Sequence, residues 1–137
     1  MGRAIAKIAD VRTPSDPKTT FTVGEISGGT SVNSIAAEAS MLLDMRSASA
    51  EELAVLEKTI MELLPAAAAE ENARWNSDAI RVEIKLVGDR PAGQQPSDAN
   101  IVQAALAATE EVGMIPEFGP ASSTDANLPI SLGIPAI

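Results

Sequence analysis

The sequence predicts an α+β fold, a two-layer sandwich of antiparallel sheet and helices. Three observations carry this. Residues 36–46 and 80–86 alternate apolar and polar side chains with the period of two that marks a half-buried strand. Residues 18–26 are Thr-rich and β-branched, as strands are. Between and before these stretches, apolar residues recur at spacings of three and four, which puts them on one helical face. The order up to residue 87 is helix, strand, strand, helix, strand, and strands on one side with helices on the other make two layers.

The elements follow in order. Ala4, Ile5, Ile8 and Val11 share a face of a short helix over residues 4–11. Pro14 and Pro17 stop it, because proline lacks the N–H a helix needs. Phe21 and Val23 then lie on one face of the first strand, and a polar loop, Gly28-Gly29-Thr30-Ser31-Val32-Asn33-Ser34, leads on from it. In the second strand Ala37, Ala39, Met41, Leu43 and Met45 alternate with Glu38, Ser40, Asp44 and Arg46. Ser49 and Glu52 have the spacing of a capping box. Leu53, Leu56, Ile60, Leu63 and Leu64 form the stripe of the helix that follows. Pro65 is expected to kink or end this helix, although Ala66 to Ala69 favour its resumption. Trp75 is expected to pack against the helix end. Ile80, Val82, Ile84 and Leu86 alternate with Arg81, Glu83 and Lys85 in the third strand. Three strands make a thin sheet, and a fourth is expected on its N-terminal side.

Residues 88–97 are rich in proline and glycine and form the expected boundary between a domain over residues 1–88 and a segment over residues 89–137. Beyond it, Ile101, Val102, Ala105, Leu106 and Val112 mark a further helix ended by Gly113. The final run, Gly133-Ile134-Pro135-Ala136-Ile137, reads as a strand cut short.

Composition excludes several classes. The 137 residues contain no Cys and no His, so there is no disulfide framework, no Cys-based metal site, no Ser-His-Asp triad and no histidine base. Ten Lys and Arg against 19 Asp and Glu give a net charge of −9, which argues against a nucleic acid or an anionic membrane as partner. Apolar residues make up 45% of the chain, an ordinary share for a packed domain. No apolar run reaches the ~18 residues of a membrane span. The first residues lack a secretory apolar stretch, and Ala6 stands where a myristoylation motif needs Ser or Thr. A cytoplasmic location is expected. With Phe21, Trp75 and Phe118 the only aromatics, the core is expected to be aliphatic.

Three polar clusters have the composition of sites, each with a structural alternative. In the first, Gly28 and Gly29 supply loop conformations, and the Asn33 amide can both donate to and accept from a ligand. In the second, Gly88-Asp89-Arg90-Pro91-Ala92-Gly93, the proline holds Arg90 extended. The guanidinium then either grips a carboxylate through its planar fork or pairs with Asp89. The third, Ser123-Thr124-Asp125-Ala126-Asn127, is either an Asx-type turn or a presentation of hydroxyl, carboxylate and amide to the same cleft. The acidic pairs Glu51-Glu52, Glu70-Glu71 and Glu110-Glu111 read as helix-terminal or solvated residues rather than metal ligands.

Taken in order, these clusters resemble the di-zinc metallopeptidases of the aminoacylase, carboxypeptidase G and peptidase T superfamily. The residues that carry the resemblance begin with Gly28 to Ile35 and Asp44-Met45-Arg46. They continue with Gly88 to Gly93, Ser122 to Asn127, and Gly133 to Ile137, so that about residues 19–137 are covered. The nearest likeness is to the di- and tripeptidase branch. The resemblance implies a catalytic domain holding two zinc ions, interrupted by a lid or dimerisation domain of α+β sandwich form. Residues 1–88 would be most of that lid, lacking its first strand, and residues 89–137 a partial α/β piece of the catalytic domain. By position, Asn33 and Arg90 would reach a peptide or N-acyl amino acid substrate, with Arg90 on its free carboxylate. Ser123, Thr124 and Asp125 would lie nearby, and a homodimer is expected through an exposed sheet edge or the helix face of residues 53–64. The family's His-x-Asp motif, its other zinc ligands, its lid histidine and its general-base glutamate have no counterpart here. The resemblance therefore implies a segment that binds no metal and is not catalytically complete alone. The alternative is a self-contained, non-catalytic α+β module that holds a small carboxylated ligand through Arg90.

Overall fold

The computed structural model describes residues 1–120 and 122–137. They form α1 (Gly2–Ala9), β1 (Thr19–Gly28), β2 (Ala39–Ser47), α2 (Ala50–Trp75), α3 (Asn100–Glu111) and α4 (Asn127–Ser131). The architecture is α+β, with one two-stranded antiparallel sheet among the described residues.

β1 and β2 form a hairpin in which Phe21 faces Met45 and Val23 faces Leu43. Between Val23 and Glu25 the register slips by one, because Gly24 is an extra residue on β1. Such a bulge offsets the strict alternation of the strand. Ile26 thereby comes opposite Met41 rather than turning to the other face. Gly28 closes the ladder opposite Ala39 at φ +142°, where a Cβ would stand 2.6 Å from the Glu38 carbonyl oxygen. Only glycine meets both conditions. At the other end Thr19 is buried, and its hydroxyl lies 3.0 Å from the Pro17 carbonyl and 2.8 Å from Ser47 Oγ.

The core lies where α1 and α2 meet the sheet. Ala4 and Ile8 of α1 pack with Leu56, Ile60, Leu64 and Ala67 of α2, and Phe21, Val23, Met41, Leu43 and Met45 close it from the sheet side. It is aliphatic apart from Phe21, as the composition requires. The helix stripe of residues 53–64 is consumed by this core, since Leu56, Ile60 and Leu64 are all buried. It is therefore not free to form a dimer contact.

α2 begins at Ser49, whose hydroxyl accepts from the Glu52 N–H. Only this half of the expected capping box forms. The Ser49 N–H donates to Ser47 Oγ, and Ser49 Oγ donates to Glu51 instead. The helix runs through Pro65 without ending. Pro65 is exposed, while its neighbours Leu64 and Ala67 are buried in the core. Beyond the proline, Arg3 Nε and Nη2 both donate to Glu71 Oε2 (2.9 and 2.7 Å), and Lys7 Nζ pairs with Glu70 at 2.5 Å. Packing and these ion pairs hold the second half of α2 to α1. Asn76 ends the helix in the left-handed region, with Ser77 N–H returning to the Asn72 carbonyl. Trp75 corrects its expectation. It is the last residue of α2 and 67% exposed, its indole N–H donating to Glu71 and its ring under Arg74.

Two expected strands do not form. Residues 80–86 run extended but belong to no ladder, and residues 134–137 are likewise unpaired. A strand is stable only when its backbone groups are bonded across to another, and neither run has such a neighbour among the described residues. The third helix matches its expectation, ending before Gly113 at φ +78°, with Met114 N–H bonded to the Thr109 carbonyl.

Candidate functional site

The second and third polar clusters come together across 35 residues of sequence. Arg90 Nη2 lies 3.5 Å from Asp125 Oδ1. The partner is Asp125, not the neighbouring Asp89 that local pairing would select. Both side chains are open to solvent, Arg90 at 56% and Asp125 fully. One face of the guanidinium fork is engaged at long range, and its remaining donors are free to meet another anion. The backbone beneath is fixed more firmly. Asn127 Nδ2 donates to the Pro91 carbonyl (3.2 Å), and Ala136 N–H donates to Gln95 Oε1 (3.3 Å). Gly93 packs so closely on α4 that a Cβ there would stand 2.8 Å from Ile130 Cγ2.

Within the third cluster the turn takes up part of the polar inventory. Thr124 N–H donates to Asn127 Oδ1 (2.7 Å), and Ala126 N–H donates to Thr124 Oγ1 (3.2 Å). The turn is thus held by the Thr124 hydroxyl and the Asn127 amide oxygen rather than by the expected Asx-type bond, and it leaves the Asp125 carboxylate and the exposed Ser123 pointing outward.

The first cluster stands apart. Gly28 and Gly29, at φ +142° and +81°, open the ten-residue connection between β1 and β2. Ser31 Oγ donates to Asn33 Oδ1 (3.0 Å) and sits 2.8 Å from Ser34 Oγ. This leaves the Asn33 Nδ2 donors without a protein acceptor among the described residues. Val32 and Ile35 are fully exposed on the same loop. Among the described residues no hydrogen bond or ion pair links Asn33 to Arg90 or Asp125.

Of the acidic pairs, Glu70 and Glu71 are not simply solvated. They are the anchors of Arg3 and Lys7 on α1. The Arg3 guanidinium, and then the Trp75 indole, hold the Glu71 carboxyl below its usual value. The four-residue spacing of Arg3 and Lys7 on one helix face was the available signal for this network. Glu51 is held low by the Ser49 hydroxyl at the helix start. For a zinc ion the donor chemistry is wrong. The chain has no His or Cys, and among the described residues no three carboxylates converge. These residues do not fit a zinc site.

A helix, a hairpin and a long helix folded on one aliphatic core occupy the first half of the chain. The family model described as the peptidase dimerisation domain (M20_dimer) matches residues 1–72, just over half of the chain, from α1 through most of α2. The chain belongs to this family of M20 peptidase dimerisation domains. No curated protein matches it.

Proposed function

We propose that this chain is part of a zinc-dependent exopeptidase of the di- or tripeptidase or aminoacylase kind. In this reading residues 1–88 are its lid and dimerisation domain, and residues 89–137 belong to the catalytic domain. The chain's own roles are homodimerisation and recognition of the carboxylate end of a peptide or N-acyl amino acid. Catalysis is not among them, and the chain supplies no ligand to the two zinc ions of such an enzyme. A cytoplasmic location belongs to the same reading.

The observation that carries the recognition role is the Arg90–Asp125 pair. An exposed ion pair with one contact at 3.5 Å contributes only about 0–1 kcal/mol. A substrate carboxylate that meets the fork with two parallel N–H···O bonds binds more strongly than that. Asp125 then acts as a placeholder, keeping the guanidinium oriented until substrate displaces it. The free Nδ2 donors of Asn33 suit a carbonyl oxygen, and Ser123 and Thr124 supply hydroxyls beside Asp125. For the dimer, the buried helix stripe leaves an open edge of the two-stranded sheet as the contact, since an unpaired edge pairs readily with another chain.

N-acetylglycine titrated into the isotope-labelled chain tests the recognition role. The Arg90 Nε–Hε resonance is expected to shift on binding, Arg90→Gln to abolish binding, and Asp125→Asn to tighten it. Binding unchanged by Arg90→Gln overturns the assignment. Sedimentation equilibrium tests the dimer, and a monomer at high concentration counts against it.

A further inference from the structure

Arg90 and Asp125 are brought together by their backbones rather than by their own contact. The residue after Arg90, Pro91, accepts from Asn127 Nδ2 (3.2 Å), and Gly93 lies close against Ile130. The residues on either side of Asp125 are fixed in turn. Thr124 N–H donates to Asn127 Oδ1 (2.7 Å), and Ala126 N–H donates to Thr124 Oγ1 (3.2 Å). The one Asn127 amide therefore ties the turn that carries Asp125 to the segment that carries Arg90. The two side chains meet only in a single contact at 3.5 Å, both open to solvent. Such a contact contributes little. Two opposite charges are thus kept at a short, set separation without satisfying one another.

The local charge is negative. Asp89 adjoins Arg90 in the chain, is exposed, and makes no ion pair among the described residues. A ligand that carries only a carboxylate enters against both acids. It must also push Asp125 off the guanidinium and leave that carboxylate without a partner, which works against such a ligand. A ligand with a carboxylate and an ammonium close together meets both members of the pair at once and adds no net charge. An α-amino acid has this form, because its two charged groups stand on one carbon. That spacing suits side chains whose facing atoms are 3.5 Å apart.

We propose that Arg90 and Asp125 form a clamp for a free α-amino acid, with its carboxylate on the Arg90 fork and its ammonium on Asp125. The clamp rests on the carboxylate-recognition role of Arg90 given above and adds regulation to it. In a peptide or an N-acyl amino acid the nitrogen beside that carboxylate is an uncharged amide. Hydrolysis breaks the C–N bond, places the hydroxyl of water on the acyl carbon and its hydrogen on the nitrogen, and the amine then takes a further proton from solvent. The ammonium therefore exists only in the product. Asp125 opposes the substrate and favours the released amino acid, so the pair holds product more tightly than substrate and acts as a site of product inhibition.

The probes are glycine, N-acetylglycine and glycinamide, titrated at neutral pH and low salt, where exposed charges are least screened. Binding is read at the Arg90 Nε–Hε resonance and at the amides of residues 124–126. Glycine is expected to bind about threefold more tightly than N-acetylglycine, which lacks the ammonium, and than glycinamide, which lacks the carboxylate. Asp125→Asn, at a fully exposed position, is expected to weaken glycine by about that factor while tightening N-acetylglycine. A merely structural effect of the substitution would move both ligands in the same direction. Arg90→Gln is expected to abolish binding of both. N-acetylglycine bound as tightly as glycine, or glycine binding unchanged by Asp125→Asn, overturns the clamp. If Arg90→Gln still abolishes N-acetylglycine binding in that case, the carboxylate role stands without the clamp. Binding of both ligands unchanged by Arg90→Gln overturns the two together.

Discussion

Replacing Ile60 by alanine tests whether the fold rests on the small core between α1, α2 and the hairpin. Ile60 is fully buried, and Ile8 is the other large side chain sealed to this degree. The substitution strips Cγ1, Cγ2 and Cδ1 from the centre of that cluster. At about 0.8 kcal/mol for each buried carbon the transfer loss is about 2.4 kcal/mol. The cavity left behind raises the expected cost to about 3–4 kcal/mol. Domains of this size are stable by about 5–15 kcal/mol, so the loss is a large share of the total. Urea unfolding followed by circular dichroism should show a lower midpoint with an unchanged slope. Ile60→Val, which keeps most of the volume, should cost about 0.5–1.5 kcal/mol. Val55 supplies the control, because it lies on the same helix but is 61% exposed. Val55→Ala should stay within about 0.5 kcal/mol of the parent. Equal effects of Val55→Ala and Ile60→Ala, or a cost below about 1 kcal/mol for Ile60→Ala, would refute the placement of the core.

Two further predictions concern the long helix and its ties. Pro65→Ala should stabilise the chain by about 1–3 kcal/mol, because alanine restores a helical N–H at an exposed position and removes the clash with the preceding turn; an unfolding midpoint that does not rise counts against a helix continuous through residue 65. The Glu71 carboxyl titrates below its ordinary 4.5 in the fold, held down first by Arg3 and then by Trp75. As pH falls the unfolded chain takes up this proton first, so the stabilisation is full above the unfolded value and is lost as pH drops through the lower folded one. Glu71→Gln should therefore flatten the acid limb of stability against pH, and an acid limb as steep as the parent's would reject the assignment.

The hairpin was legible because its two runs carry the period of a strand and differ by one glycine, Gly24, which the structure uses as a bulge. The start of α2 was legible at Ser49, and the end of α3 at Gly113, since caps are local chemistry. The fate of Pro65 was not. Its local penalty favours a break, but buried Leu64 and Ala67 and the Arg3 and Lys7 ion pairs outweigh it. Residues 80–86 have the pattern of a strand, although every one of them is exposed. Pattern states which side chains turn inward, however, and not whether a bonding neighbour stands alongside. The candidate site divides in the same way. Arg90 and Asp125 were separately marked by their residue types, and their pairing across 35 residues was not.

The sequence by itself determined the α+β class, the aliphatic core, the helix caps and the absence of any histidine or cysteine chemistry. Each of these follows from residue type and from spacing within a few positions. Only the tertiary structure decided that the stripe of α2 is spent on the core and that Arg90 meets Asp125. Only it decided that residues 80–86, patterned as a strand, join no ladder among the described residues. These are relations between distant segments, and they are set by how packing distributes burial and backbone bonding over the whole chain, which no local pattern encodes.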